Sequence, residues 1–221
     1  VTCTRSFTVS AAAPVSLTCP PDATEAACQT QAQINAKYNA WIVSAMMSGG
    51  CNSVLTNNGT GPPMACGGTA TVTFTVNSNC EAPVTCTRTF TVSAAPVTNL
   101  VCPANVTEVA CQTQAEIDTK FSAWLASASV SGGCNATLTN NSTTSPPACG
   151  GTRTVTFTAM SDCGVAETCT RTFTVTDAPL VVLNCPTNVT EPSCQTQAEI
   201  NAKYDAWLAS VTMSGGCNAV L

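Results

Sequence analysis

The chain has 221 residues, with 7 Lys and Arg against 12 Asp and Glu, no histidine and 16 cysteines. At a net charge of −5 and 9% charged residues it has no basic cluster to meet phosphates, which excludes nucleic-acid binding. No apolar run approaches the roughly 18 residues a membrane span needs. Cysteine this dense implies an oxidising compartment or a metal; without histidine or any C-x-x-C pair, it points to disulfides and not to zinc.

In chain order, the cysteines reveal a repeat. Cys19, Cys28, Cys51, Cys66, Cys80 and Cys86 recur as Cys102, Cys111, Cys134, Cys149, Cys163 and Cys169, each at the interval that separates Cys19 from Cys102, a period of 83. Cys185, Cys194 and Cys217 open a third copy, and Cys3 stands one period before Cys86. A fixed period of this kind is the mark of a repeat architecture. Pro14, Pro96 and Pro179 close the copies and predict short, semi-rigid joints. The organisation expected is therefore 1–14 as the C-terminal strand of a preceding repeat, units at 15–97 and 98–180, and 181–221 as the N-terminal half of a further one. With no initiator Met and cysteines left without partners at both ends, the polypeptide is expected to continue in both directions.

Within the second unit, Asn99–Cys102 and Asn105–Ala110 read as short extended runs. Thr113 followed by Glu116 is a capping box, as are Thr30 with Gln33 and Thr196 with Glu199. Ile117, Phe121, Trp124 and Leu125 then fall on one helical face, as do Ile34, Tyr38, Trp41 and Ile42, and Ile200, Tyr204, Trp207 and Leu208. These twelve residues are the expected core face of a helix laid on a sheet, and Ser131-Gly132-Gly133 is expected to end the helical segment. Val155, Phe157 and Ala159 alternate with Thr154, Thr156 and Thr158; Cys169, Arg171, Phe173 and Val175 alternate with Thr170, Thr172 and Thr174. Period two with Thr outward predicts half-buried antiparallel strands joined by a loop at 161–167. The fold class expected is mainly β: tandem immunoglobulin-like β-sandwich repeats of that period, each with one inserted α-helix and three disulfides.

Catalysis finds no support in the sequence: there is no histidine base and no G-x-S-x-G elbow, and Glu116 and Asp118 point different ways on a helix. No catalytic, cofactor-binding or metal-binding residue is assigned. The joints carry Asp177 in one copy and alanine in another, so they repeat no calcium ligand set. Lys37, Lys120 and Lys203 read as a solvated helix face. Arg5, Arg88 and Arg171 read as strand residues whose stems cover the core edge while their heads reach solvent.

Cys102-Pro103, the Gly150–Thr158 strand and the Cys169–Val175 strand together resemble a hyalin-repeat (HYR) module. The six-cysteine form, with Asn79-Cys80 and Asp162-Cys163, resembles repeats of giant cell-surface proteins of Bacteroidota. The Gln-Thr-Gln-Ala-Glu-Ile helix and its Trp segment are most similar to the flavobacterial gliding-motility adhesins, the SprB-like family. The resemblance spans the whole chain and implies type IX secretion and display as outer-surface filaments.

Six cysteines permit 15 connectivities. If the first strand of a repeat runs beside the last, Cys19 and Cys86 share one end and Cys28 and Cys66 the other, leaving Cys51 with Cys80. The same order gives Cys102–Cys169, Cys111–Cys149 and Cys134–Cys163, with Cys3, Cys185, Cys194 and Cys217 finding partners outside the sequence. The rival closes the last hairpin with Cys80–Cys86 and pairs Cys19 with Cys51. A Cys19–Cys86 bridge would join a repeat near the entry and exit of tension and so bypass its interior.

Two functions are carried forward. One is a structural stalk of an extracellular adhesin filament on a bacterial cell surface, supporting adhesion and gliding motility, stapled against tension and proteolysis, with neighbouring repeats as its partners. The other is a module that itself recognises surface glycans or proteins. With 5% aromatic residues, most of them assigned to cores, the stalk is the stronger reading.

Overall fold

The computed structural model describes residues 1–142 and 144–221. It is mainly β, with several small sheets, three helices and five disulfides. Two compact units form: 1–99 with 131–137 and 160–166, and 100–130 with 138–159 and 167–221. Their bounds depart from the 15–97 and 98–180 division because two loops of the second sequence repeat group with the first.

In the first unit the elements run β1 (Ser16–Thr18), β2 (Ala23–Glu25), α1 (Gln31–Ile42), β3 (Met46–Ser48), β4 (Val54–Asn57), β5 (Gly68–Asn77) and β6 (Val84–Val92). A four-stranded sheet has the order β2-β6-β5-β4, with β2 parallel to β6 and the other pairs antiparallel. The period-two pattern sends Val72, Phe74 and Val76 inward, all essentially buried, while threonines line the other face. There Thr69 meets Thr91 and Thr73 meets Thr87 by hydroxyl hydrogen bonds of 3.0 Å, cross-strand pairs of the kind that stabilise sheets.

Helix α1 lies on the apolar face. Its capping box is complete: the Thr30 hydroxyl accepts from the Gln33 N–H, and the Gln33 side chain accepts from the Thr30 N–H. Ile34, Tyr38 and Trp41 are buried against Val72, Phe74, Phe90 and Val92. Trp41 sits edge-on to Phe74 at 5.8 Å and Tyr38 edge-on to Phe90 at 5.4 Å, a favoured aromatic geometry. The indole N–H of Trp41 donates to the Pro21 carbonyl at 2.8 Å, so the ring is buried without stranding its polar end. Strands β1 and β3 pair antiparallel, and Leu17 and Ala45 pack at the rim of this core.

In the second sequence repeat follow β7 (Asn99–Val101), β8 (Val106–Glu108), α2 (Gln114–Ala126), β9 (Ser129–Ser131), β10 (Thr137–Asn140), β11 (Gly151–Met160) and β12 (Glu167–Val175). The sheet order is β10-β11-β12-β8, again with one parallel pair, β8 on β12. Phe157 faces Cys169 across β11 and β12, as Phe74 faces Cys86 across β5 and β6. Ile117, Phe121 and Trp124 are buried on Val155, Phe157, Phe173 and Val175. Helix α2 stops at Ala126, capped by Ser127, so Ser131-Gly132-Gly133 does not end it; the residues between form β9.

The chain closes with β13 (Val182–Asn184), α3 (Gln197–Leu208) and β14 (Thr212–Ser214). Helix α3 keeps its capping box, yet none of its residues is buried. Ile200, Tyr204 and Trp207 line an open groove with Val189, because no long strands lie on them. Ile42 and Leu125 are half-buried at the edge of their cores, and Leu208 is exposed. Residues 1–14, expected as a strand, form none and are exposed; the matching residues of β6 and β12 each have a long antiparallel partner.

Candidate functional site at the cysteine joint

The feature with the most distinctive chemistry is where cysteines of successive sequence repeats meet. Cys28 precedes the α1 cap by two residues and takes a left-handed backbone, φ 64°. Cys111 and Cys194 do the same at φ 65° and 74°. A non-glycine residue avoids this region because its Cβ crowds the carbonyl, at a cost of about 1–2 kcal/mol, so its recurrence signals a constraint. Cys66 sits in a tight turn before β5, where the Gly67 N–H donates to the Met64 carbonyl at 3.1 Å. Gln31 ties these two places together. Its amide N–H donates to the Pro63 carbonyl (3.1 Å) and its oxygen accepts from the Ala65 N–H (2.8 Å). Gln114 repeats both contacts with Pro146 and Ala148.

The receiving side is built on Gly132 and Gly133, φ 68° and 65°. Glycine is required here twice over. The conformation is left-handed, and a Cβ on Gly132 would collide with the Val97 carbonyl. The Gly133 N–H donates to the Pro96 carbonyl at 3.2 Å, the Asp162 N–H to the Cys134 carbonyl at 2.9 Å, and Thr98, buried, hydrogen-bonds Ser161 at 2.9 Å. Asn135 follows at φ 53° and donates to the Asp162 carboxylate at 2.8 Å. The Ser-Gly-Gly motif and Asp162 are thus joint residues, a role that reading them as helix stop and loop had missed. A Gly-Gly pair directly before a cysteine was the available signal.

On this frame Cys28 bonds Cys134, with Cα atoms 4.9 Å apart, and Cys66 bonds Cys163, at 5.2 Å. Their sequence separations, 106 and 97, exceed a repeat length. Cys111 bonds Cys217 at the same separation of 106. Cys19–Cys86 and Cys102–Cys169 are present within their repeats, each spanning 67 positions. The pairings Cys28–Cys66, Cys111–Cys149 and Cys134–Cys163 are therefore corrected, and Cys217 has its partner inside the chain. Cys51 and Cys80 are unbonded, as are Cys3, Cys149, Cys185 and Cys194. The cause of the misreading is physical: an outward-turned Cys28 reaches the next repeat's loop, and a strict period makes positions one repeat apart indistinguishable by spacing.

The remaining predicted positions are structural supports. Each lysine pairs with the glutamate twelve residues before it: Lys37 with Glu25, Lys120 with Glu108 at 2.6 Å, Lys203 with Glu191 at 2.6 Å. The ammonium and a nearby glutamine amide hold each of these carboxyls below the usual glutamate range. The Arg88 and Arg171 heads do not simply reach solvent. Their Nε atoms donate to the Pro20 and Pro103 carbonyls at 3.1 and 3.0 Å, fixing the Cys-Pro turns. Arg5 lies in the exposed 1–14 segment.

Among the described residues, no three His, Cys, Asp or Glu side chains gather as metal ligands. No helix there is long and apolar enough to cross a membrane. Five disulfides are the chemistry of a secreted or extracellular chain folded in an oxidising environment. No protein-family model matches the chain, and no curated protein matches it significantly.

Proposed function

We propose that the chain is a non-catalytic stalk segment of an extracellular adhesin filament on a bacterial surface, built from tandem immunoglobulin-like repeats with an inserted helix. The observation that carries this reading is the covalent joint. The first and second repeats are connected by the backbone at Pro96 and by two further bonds, Cys28–Cys134 and Cys66–Cys163. A disulfide typically contributes about 2–4 kcal/mol to a small domain. Bridges from repeat to repeat also keep neighbours attached when one of them opens. Connectivity of that kind serves a part that transmits tension. The resemblance to gliding-motility adhesins supports export by the type IX route, with grip exerted elsewhere in the filament.

The alternative, a repeat that itself binds glycans or proteins, calls for exposed aromatics. In the first two helices Tyr38, Trp41, Phe121 and Trp124 are all buried. Labelled full-length chain applied to glycan and surface-protein arrays is the test. Background signal throughout is the outcome expected of a stalk; saturable capture by one ligand class in the oxidised chain would transfer the function to the repeat surface.

A further inference from the structure

Cys51 and Cys80 occupy in the first repeat the places of Cys134 and Cys163 in the second. The backbone around them matches, although Val15 stands where Thr98 does and Ser78 bonds the Cys51 N–H at 3.0 Å instead. The Asn79 N–H donates to the Cys51 carbonyl at 3.0 Å, as Asp162 does to Cys134 at 2.9 Å. Gly49 and Gly50 are left-handed at φ 75° and 72°, and Asn52 follows at φ 52°, against 53° for Asn135. The Gly50 N–H donates to the Ala13 carbonyl at 2.7 Å, the counterpart of Gly133 on Pro96. The Cys51 thiol lies beside that of Cys80 and pushes the Cys80 thiol's pKa up. Both are unbonded. In the second repeat the equivalent neighbours do not close on each other. Each is taken by a cysteine of the first repeat, Cys134 by Cys28 and Cys163 by Cys66.

We infer that the Cys51/Cys80 pair is the receiving half of a two-disulfide staple, and that its partner is another repeat of the same kind, presenting the cysteines that correspond to Cys28 and Cys66. The Gln31 contacts that hold Cys28 near Cys66 preset the donor pair, and the Gly-Gly turn presets the receiving pair. The order is fixed: the Cys28 counterpart joins Cys51, and the Cys66 counterpart joins Cys80. Four thiols become two disulfides, and the four protons and four electrons released reduce two equivalents of a disulfide oxidant to dithiols. The inference rests on the joint's geometry alone and stands apart from the stalk reading, which array binding tests separately.

The experiment duplicates residues 15–97 in phase between Pro14 and Val15 of the full chain, and maps disulfides by mass spectrometry of non-reduced peptides. The expected result is Cys51 bonded to the duplicate's Cys28 and Cys80 bonded to the duplicate's Cys66. The number of unbonded thiols then stays at six although six cysteines were added. A Cys51–Cys80 bond in the extended chain would overturn the inference. In a second variant of that chain, carrying Cys51→Ser and Cys80→Ser, two more thiols should become titratable, those of the duplicate's Cys28 and Cys66. If those two bond each other instead, the donor pair is not preset and the inference fails.

Discussion

Remove the Cys19–Cys86 bond by serine substitution at both positions and pull the oxidised chain from its two ends. In the wild-type chain the shortest covalent route runs from Val1 to Cys19, across to Cys86, on to Cys111, across to Cys217 and out to Leu221. That is about 47 residues of backbone, or roughly 155 Å at about 3.3 Å per residue. Without the bond, tension has a second route: Val1 to Cys28, across to Cys134, back to Cys111, across to Cys217 and out. That route measures about 54 residues, so the fully unfolded length grows by only about 25 Å. A Cys28→Ser substitution added to the pair removes the second route. The next one crosses from Cys66 to Cys163 and from Cys169 to Cys102 before reaching Cys111. It lengthens the chain by a further 30 residues or so, about 100 Å. The assay is single-molecule force extension with terminal handles under oxidising conditions. A gain approaching 95 Å on losing Cys19–Cys86 alone is the value for a bypass through a within-repeat Cys28–Cys66 bond, and would refute the inter-repeat connectivity. The load bypass expected of one bridge is thus a property of the network.

Three further outcomes follow from the same structure. Proteolysis confined to 93–98 should leave the chain at full mass on non-reducing gels and release two fragments only after reduction, because Cys28–Cys134 and Cys66–Cys163 span the cut. Trp124→Ala should cost about 3–5 kcal/mol in denaturant unfolding, since the ring is buried on Phe157 and Phe173, whereas Trp207→Ala should cost well under half of that. Glu25 and Glu108 have carboxyls depressed by Lys37 and Lys120 in the folded chain, so the unfolded chain takes up protons first as pH falls. Their stabilisation is complete above the ordinary glutamate pKa of about 4.3 and is lost as pH falls through the lower folded values; Glu25→Gln with Glu108→Gln should flatten that acid limb in a melting series from pH 7 to 2. Both carboxylates stay partly exposed, at 24% and 21%, and solvent screens the pairs, so the change should be small, and a steeper acid limb in the double variant would contradict the assigned direction.

Much of the fold is written locally. The capping boxes at Thr30, Thr113 and Thr196 start helices wherever they stand, including α3, whose apolar face lacks a sheet, because both partners of a cap lie within four residues. The alternation of Thr with Val and Phe sets which face of β5 and β11 is buried, and the helix-face residues of the first two repeats go where that alternation requires. The third set, Ile200, Tyr204 and Trp207, shows the limit: an apolar stripe declares a need for burial without supplying the surface that meets it. The same holds for 1–14, which has the composition of β6 without a neighbouring strand to pair with.

Sequence by itself determined the period, the helices, the long strands and the oxidised cysteine chemistry, since each depends on composition or on neighbours a few positions away. Strand order also placed Cys19 with Cys86 and Cys102 with Cys169, but which cysteines join one repeat to the next was decided only by tertiary structure. A strict repeat assigns the same neighbours to Cys51 and Cys134, so no local pattern tells a bond within a repeat from one to the next. That choice is made by where a left-handed Cys28 points, by Gln31 drawing the Cys66 turn beside it, and by the close approach of Gly132 to the Val97 carbonyl. Contacts between distant segments have no signature in the residues of either one.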